Sequence, residues 1–347
     1  MGDSGIQIAP FRIEPIFTAR VWGFCDLRPW YDRVADGDPI GEVWLTGDDC
    51  LVATGPHAGK KLGALFEEQI TALLGTHVQG AGGPADSPLP PQAESPLLIK
   101  TIFAKEKLSV QVHPDDKMAR KYGEPRGKTE CWYALAAEPG AEVAVGVKPG
   151  TTLAEIQEGI SAGTLESRLN MVPVAAGDLI YVDAGTVHSI WPGSILLETQ
   201  QYSDVTYRMY DYGRPRELHI EKSLEATKLT TRAGKVAPLE LADRTLLIDV
   251  EYFRIERIPV KGKLTSEELR GASGNRGLAY LFAANGAGRL TGAGFEPVDL
   301  PPRGIVAVPA ASPEFVLEDT SLKNASGAGG SLDLIRITPN WPAGRAQ

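Results

Sequence analysis

The chain is poor in the residues that most often mark a metal or redox site. It has three cysteines, Cys25, Cys50 and Cys131, widely spaced and without a C-x-x-C pair. That argues against a disulfide framework and a thiolate zinc site, and fits a reducing compartment with free thiols. Histidine is scarce too. The full set is His57, His77, His113, His188 and His219, so no histidine-based centre can lie beyond residue 219. Excess positive charge is absent: the formal net charge is −9. This argues against nucleic-acid or membrane partners, and a phosphate-bearing ligand would need a local basic pocket. Long apolar runs are absent as well, with no window near the roughly 18 residues of a membrane span. The opening "MGDSGIQIAPFRIEPIF" has neither a basic n-region nor a continuous apolar h-region. The cytoplasm is the expected location, with the chain a monomer or weak homodimer.

What is present is ordinary for a globular protein with a large core. Hydrophobic residues make up 43% and charged residues 23% of 347 positions, enough chain for two domains. "IGEVWLTG" alternates like a strand, and "KKLGALFEEQITALLG" has helical spacing over residues 60–75. "QGAGGPADSPLPPQAESP" reads as a loop. Strands resume at "LLIKTIFAKEKLSVQVH", "KTECWYAL" and "AEVAVGVK". A helical insertion is expected over residues 151–170, with Thr151 or Thr152 as N-cap. Three further strand candidates, "VPVAAGDLIYVDAGTVHSI", "SILLETQQ" and "VTYRMYDYG", precede a short helix within residues 216–228. From about Pro238 the chain becomes short apolar runs between Gly, Pro and Asn turns, an all-β pattern with no helix of any length. The expected division is a catalytic domain over residues 1–237 and a β lobe without a metal site over residues 238–347.

Polar residues interrupt the first set of strands in a pattern. Gln111 and His113 are two apart and so project from one face, with Val110 and Val112 on the other. Glu130 sits near the start of a neighbouring strand, and His188 opens another after a glycine-containing turn. Two imidazoles, a carboxylate and an amide oxygen suit a divalent ion with an open position. A single histidine in an apolar run is usually a hydrogen-bonded core or surface residue, which is how His57, His77 and His219 read. Basic residues gather near the same strands: Lys100, Lys128, Arg208, Arg214, Arg216 and Lys222. Arg208 lies inside the aromatic run "VTYRMYDY", where it needs a carboxylate or a ligand anion. Glu198, Gln200, Gln201, Ser203 and Asp204 form a dense hydrogen-bonding set that suits a polyhydroxylated ligand or, equally, a polar loop. A non-catalytic sugar-binding protein and an iron oxygenase both remain open on these residues alone.

"LIKTIFAKEKLSVQVHPDD", "GKTECWYAL", "GDLIYVDAGTVHSI", "LLETQQYSDVTYRMYDYGR" and "RPRELHIEKSL" resemble the type I phosphomannose isomerases, zinc-dependent members of the cupin superfamily, in their short bacterial form. The resemblance spans roughly residues 10–230. It implies a mainly β fold of cupin-type jelly-roll sandwiches, two β lobes with helical insertions. It implies one zinc ion per chain, held by Gln111, His113, Glu130 and His188. It implies an essential arginine at Arg208 and an acid/base lysine at Lys128, with Ser109, Glu198, Asp204 and Arg214 on the substrate. The implied reaction interconverts mannose 6-phosphate and fructose 6-phosphate through an enediol, with a small-molecule sugar phosphate as the partner. The alternatives are a sugar-phosphate-binding cupin without activity and an isomerase of another hexose phosphate. Three positions depart from the family pattern: Asp183 stands where a proline usually precedes A-G-T-x-H, and Leu45 and Asp49 replace a glutamate and a histidine.

Overall fold

The computed structural model describes residues 7–75, 95–271, 274, 276–321 and 331–340. His77 and residues 79–94 of the expected loop lie outside them. The chain forms two compact units, one of Phe17–Trp44 with Leu97–Ala237, the other of Met1–Ile16, Leu45–Pro96 and Pro238–Gln347. The division therefore differs from a single cut at residue 237. Strand Phe11–Glu14 pairs with Ile305–Val308 and with Leu51–Val52, which draws the early segments into the C-terminal sheet.

In the first unit, a seven-stranded sheet runs in the order Gly234–Val236, Leu179–Val182, Glu130–Ala137, Ser194–Gln201, Leu97–Phe103, Ile40–Trp44 and Ile16–Phe24. A five-stranded sheet runs Tyr207–Tyr210, Val110–Val112, His188–Ile190, Glu142–Val147 and Leu169–Pro173. One apolar cluster draws on both sheets: Ile102, Trp132, Ile180 and Leu196 from the larger, Val143, Val145 and Ile190 from the smaller. This is the interior of a β-sandwich. A second cluster covers the other face of the five-stranded sheet. There Val110, Val112, Tyr207 and Met209 pack with Ile156 and Ile160 of helix Leu153–Ala162 and Ala226 of helix Ile220–Ala226. With one parity of these strands buried under helices, period-two alternation sends the other parity inward: Gln111, His113 and Arg208.

The other unit pairs an eight-stranded and a four-stranded sheet. Its core joins Ile258, Leu281, Val306 and Leu334 of the larger to Leu290, Leu300 and Leu317 of the smaller. The C-terminal lobe does contain a helix, Ser266–Arg270, which begins in a Thr265–Glu268 capping box.

Helix ends follow local chemistry. Leu153–Ala162 starts in a Thr152–Glu155 capping box and stops where Gly163 takes a left-handed φ of 70°. It is shorter than the expected 151–170 because the chain beyond forms a 3₁₀ turn, Leu165–Arg168, and then strand Leu169–Pro173. Helix Leu62–Leu74 lies where its spacing places it. Helix Asp116–Lys121 was not anticipated, although Asp115 caps it by accepting from Met118 N.

Gly127 allows a close approach that the site depends on. Its N–H donates to Asp116 Oδ1 at 2.7 Å, and Lys128 N–H donates to Pro114 O at 3.0 Å. A Cβ on Gly127 would sit 2.5 Å from Pro114 O and from the Asp115 carbonyl carbon. These contacts hold the Lys128–Glu130 segment beside the turn that follows His113. Gly127→Ala must move backbone, at about 1–3 kcal/mol. A lower urea midpoint with an unchanged slope is expected, and an unaltered midpoint would show that the turn yields freely.

Candidate metal centre and active site

Register places the polar residues in rows. On the five-stranded sheet Arg208 lies opposite Gln111, and Gln111 opposite His188. On the facing sheet Glu198 lies between Lys100 and Trp132, and Gln200 lies opposite Glu130. His113, just past its strand, is held by its neighbours: His113 O accepts from Gly185 N at 2.9 Å.

His113, Glu130 and His188 converge, with one ligating atom of each within 4.8 Å of the others. His113 Nε2 lies 3.7 Å from Glu130 Oε2, and His188 Nε2 lies 3.5 Å from Glu130 Oε1. All three residues are buried. Each imidazole donates from Nδ1 to a backbone carbonyl, His113 to Val205 O at 2.7 Å and His188 to Thr186 O at 2.9 Å. That fixes the tautomer and leaves both Nε2 lone pairs facing the carboxylate. His113 Nε2 is buried without a hydrogen-bond partner. Burial, then Lys128 and His188, drive His113 well below its ordinary value, and burial takes His188 down to about 4. Glu130 is pushed up to about 7, by burial first and then by the charge of Glu198. Unprotonated nitrogens around a buried carboxylate form a donor set that fits a divalent cation. Gln111 borders the cluster: its Oε1 accepts from Ser109 Oγ at 3.0 Å and its Nε2 lies 3.3 Å from His188 Nε2.

A chain of alternating charges leads away from Glu130. Lys128 Nζ lies 3.0 Å from Glu130 and 3.6 Å from Glu198. Lys100 Nζ lies 3.1 Å from Glu198 and 3.5 Å from Glu42, and Arg20 closes on Glu42 at 2.8 Å. The indoles of Trp132 and Trp44 donate to Glu198 at 3.2 Å and to Glu42 at 2.8 Å. Burial alone would raise both carboxyls. Lys100 and Lys128 outweigh it at Glu198 and hold that group below its ordinary value. At Glu42, Lys100, Arg20 and the Trp44 indole bring it down to about 2.

These residues line a cavity of about 490 Å³, with Arg20, Trp22, Glu42, Lys100, Ser109, Gln111, Lys128, Glu130, Trp132, His188, Glu198, Asp204, Arg208 and Arg216 in its wall. Of the residues expected on the substrate, Ser109, Glu198 and Asp204 face this space. Arg214 is set back from it. Its guanidinium is engaged by Lys107 O at 2.7 Å and Asp211 Oδ1 at 2.9 Å, and Arg216 lines the wall instead. Lys222 lies over the rings of Tyr122 and Tyr207. Gln201, the buried last residue of its strand, accepts from Thr129 N at 2.9 Å and donates to Asp116 at 3.0 Å, while Ser203, in the loop beyond, donates to Arg126 O at 3.2 Å, so both are tied to the protein and not to the cavity. Arg20 and Glu42 were not singled out from sequence. The signal was Glu42 itself, a carboxylate inside the apolar strand Ile40–Trp44.

No family model matches the sequence. Among curated proteins, the chain is 30% identical over 328 residues to a probable mannose-6-phosphate isomerase of Bacillus subtilis, covering 90% of this chain and 96% of the relative. It is 32% identical over 273 residues to the mannose-6-phosphate isomerase of Streptococcus mutans, covering 74% and 82%. The chain belongs to the mannose-6-phosphate isomerase family. Among solved structures, the mannose 6-phosphate isomerase of B. subtilis superposes with a TM-score of 0.77 at 28% identity, over 95% of this chain and 99% of that one. The mainly β, cupin-type architecture expected from sequence is the one observed. No helix among the described residues is long and apolar enough to cross a membrane.

The departures from the family pattern have local accounts. Asp183 Oδ1 accepts from Thr186 Oγ1 at 3.0 Å, and Thr186 N–H donates to Asp183 O at 3.1 Å. Side-chain bonding thus braces the turn before His188 where a proline would stiffen it. Leu45 is a core residue, and Asp49 is exposed in an ion pair with Lys61 at 2.8 Å.

The Glu42 link sets a pH dependence. Its folded-state pKa is depressed, so its contribution is fully present above the unfolded value near 4.5 and is lost as pH falls toward 2. The size is at most about 3 kcal/mol. Glu42→Gln should melt lower than the parent at neutral pH, with the gap narrowing as pH falls below 4.5. A gap that stays constant down to the acid transition would remove Glu42 from the account.

Proposed function

We propose that this chain interconverts mannose 6-phosphate and fructose 6-phosphate through an enediol, with one zinc ion per chain held by His113, Glu130 and His188. The observation that carries the reading is the convergence of two imidazoles and a carboxylate beside a buried lysine in one cavity, in a chain of this family. Gln111 is the fourth donor, since a half-turn of its amide exchanges the oxygen now on Ser109 with the nitrogen now facing His188. When bound, the ion supplies a Lewis acid for a sugar hydroxyl or carbonyl.

The chain's own residues do the rest. Lys128 places Nζ on the cavity wall between Glu130 and Glu198, where as the free amine it can take the proton from one of C1 and C2 and, as the ammonium so formed, return it to the other. Arg208 faces the cavity from the opposite sheet. Among the described residues no carboxylate lies within ion-pair distance of its guanidinium, Nε is buried without a hydrogen-bond partner, and NH1 donates to Glu217 O at 2.8 Å. It meets the negative charge that develops on the enediolate. Ser109, Glu198 and Asp204 offer hydrogen bonds to the sugar, with Arg214 behind them as second support for the phosphate end.

The test is a coupled assay on mannose 6-phosphate with glucose 6-phosphate as competitor; no turnover of the mannose ester by metal-replete protein would end the proposal. Elemental analysis should find stoichiometric zinc in the parent and none in His113→Ala, and metal retained by that variant would sink the ligand assignment. Arg208→Ala should keep zinc and fold and lose about two to three orders of magnitude in turnover with little change in KM. A large rise in KM at preserved turnover would make Arg208 a ground-state phosphate anchor instead.

A further inference from the structure

His219 reads from sequence as a residue on a helix face. The structure places it elsewhere, at the N-terminal boundary of helix Ile220–Ala226. Among the described residues, strand Tyr207–Tyr210 is an edge strand, paired on its Val110–Val112 side. The outer backbone groups of Arg208 need partners, and His219 supplies both. Arg208 N–H donates to His219 Nδ1 at 3.2 Å, and His219 N–H donates to Arg208 O at 2.7 Å. An imidazole nitrogen and a backbone amide thus act as one rung of a missing strand. The same segment reaches the other end of the side chain, because Arg208 NH1 donates to Glu217 O at 2.8 Å. His219 is itself anchored: its carbonyl accepts from Ser223 N at 2.8 Å and from Ser223 Oγ at 2.6 Å, and the helix packs onto the sheet through Ile220, Leu224 and Ala226.

We propose that His219 is a positioning residue for Arg208, fixing the backbone from which the guanidinium enters the cavity. The proposal rests on the reading of Arg208 given above. Its chemistry is specific to one atom. The acceptor must be Nδ1, so the ring proton sits on Nε2, which lies 3.9 Å from Glu217 Oε2. Asparagine can place an oxygen where Nδ1 stands, whereas glutamine places its oxygen one bond further out, near Nε2. A purely space-filling role would not separate those two amides, and a capping role, which favours asparagine, would separate them in melting temperature and not in kcat.

The experiment measures kcat, KM, zinc content and melting temperature for His219→Asn, His219→Gln and His219→Ala, with His219→Ala also made in Arg208→Ala. Expected are near-parental turnover for Asn, and a fall in kcat of about tenfold or more for Gln and Ala with KM and zinc unchanged. In the Arg208→Ala background, His219→Ala should cost nothing further. Equal turnover for Asn and Gln, or an undiminished loss in the Arg208→Ala background, overturns the proposal and leaves His219 a fold element. Full turnover by Arg208→Ala alone would instead withdraw the role of Arg208, and with it the proposal.

Discussion

The buried carboxylate of Glu130 is the constraint around which this unit is arranged. It is 1% exposed and faces two imidazoles that burial keeps unprotonated. A lone buried anion costs several kcal/mol unless it is paired and hydrogen-bonded. Lys128 answers that charge, but Lys128 is buried as well and needs Glu198, which needs Lys100, which needs Glu42. The sequence of signs ends only at Arg20, a residue with solvent access. Each member is thereby held in place by the requirement of the next. A site that must keep its geometry while a charged ligand enters and leaves gains from that mutual restraint.

The sandwich makes such a chain buildable. Strand neighbours put Lys100, Glu198 and Trp132 side by side across three strands, and Arg208, Gln111 and His188 across three more. Neither row could form if either sheet slipped by one residue, since every side chain would change face. On the five-stranded sheet, register is enforced from outside, where the helices bury Val110, Val112, Tyr207 and Met209. Packing with no part in chemistry therefore decides which side chains reach the cavity.

The same alternation explains what was legible in the sequence. Gln111 and His113 could be placed on one face because Val110 and Val112 mark the other, while Glu130 and His188 showed only as polar strand starts that the family motifs joined to them. Arg208 stood out as a charge inside an aromatic run. Arg214 and Arg216 could not be told apart, because a loop outside the sheets has no period to decide which arginine turns inward; Asp211 and the Lys107 carbonyl hold Arg214, and Arg216 lines the cavity. His219 was unreadable for a related reason. Its partner is a backbone amide on an edge strand, and nothing in local spacing reveals which edge lacks a neighbour. The discontinuous make-up of the units was hidden likewise, since the pairing of Phe11–Glu14 with Ile305–Val308 spans nearly the whole chain.

The charge balance of the site gives the proposed chemistry a further rationale. Arg20, Lys100 and Lys128 are matched one for one by Glu42, Glu198 and Glu130. The imidazoles are neutral in the tautomer their carbonyl partners impose. Among the described residues, and with Arg216 paired to Asp211, the wall is therefore close to neutral before anything binds, apart from the Arg208 guanidinium, which has no carboxylate within ion-pair distance, and the exposed carboxylate of Asp204. A divalent cation adds two positive charges, and a phosphate ester about one and a half to two negative ones. Either alone leaves a net charge in a poorly solvated space, whereas the two together nearly cancel. A neutral sugar offers no such compensation. On this accounting the proposed phosphorylated ligand would suit the cavity through the sum of its charges as well as through any one contact, and each of the two proposed ligands would make the other easier to hold.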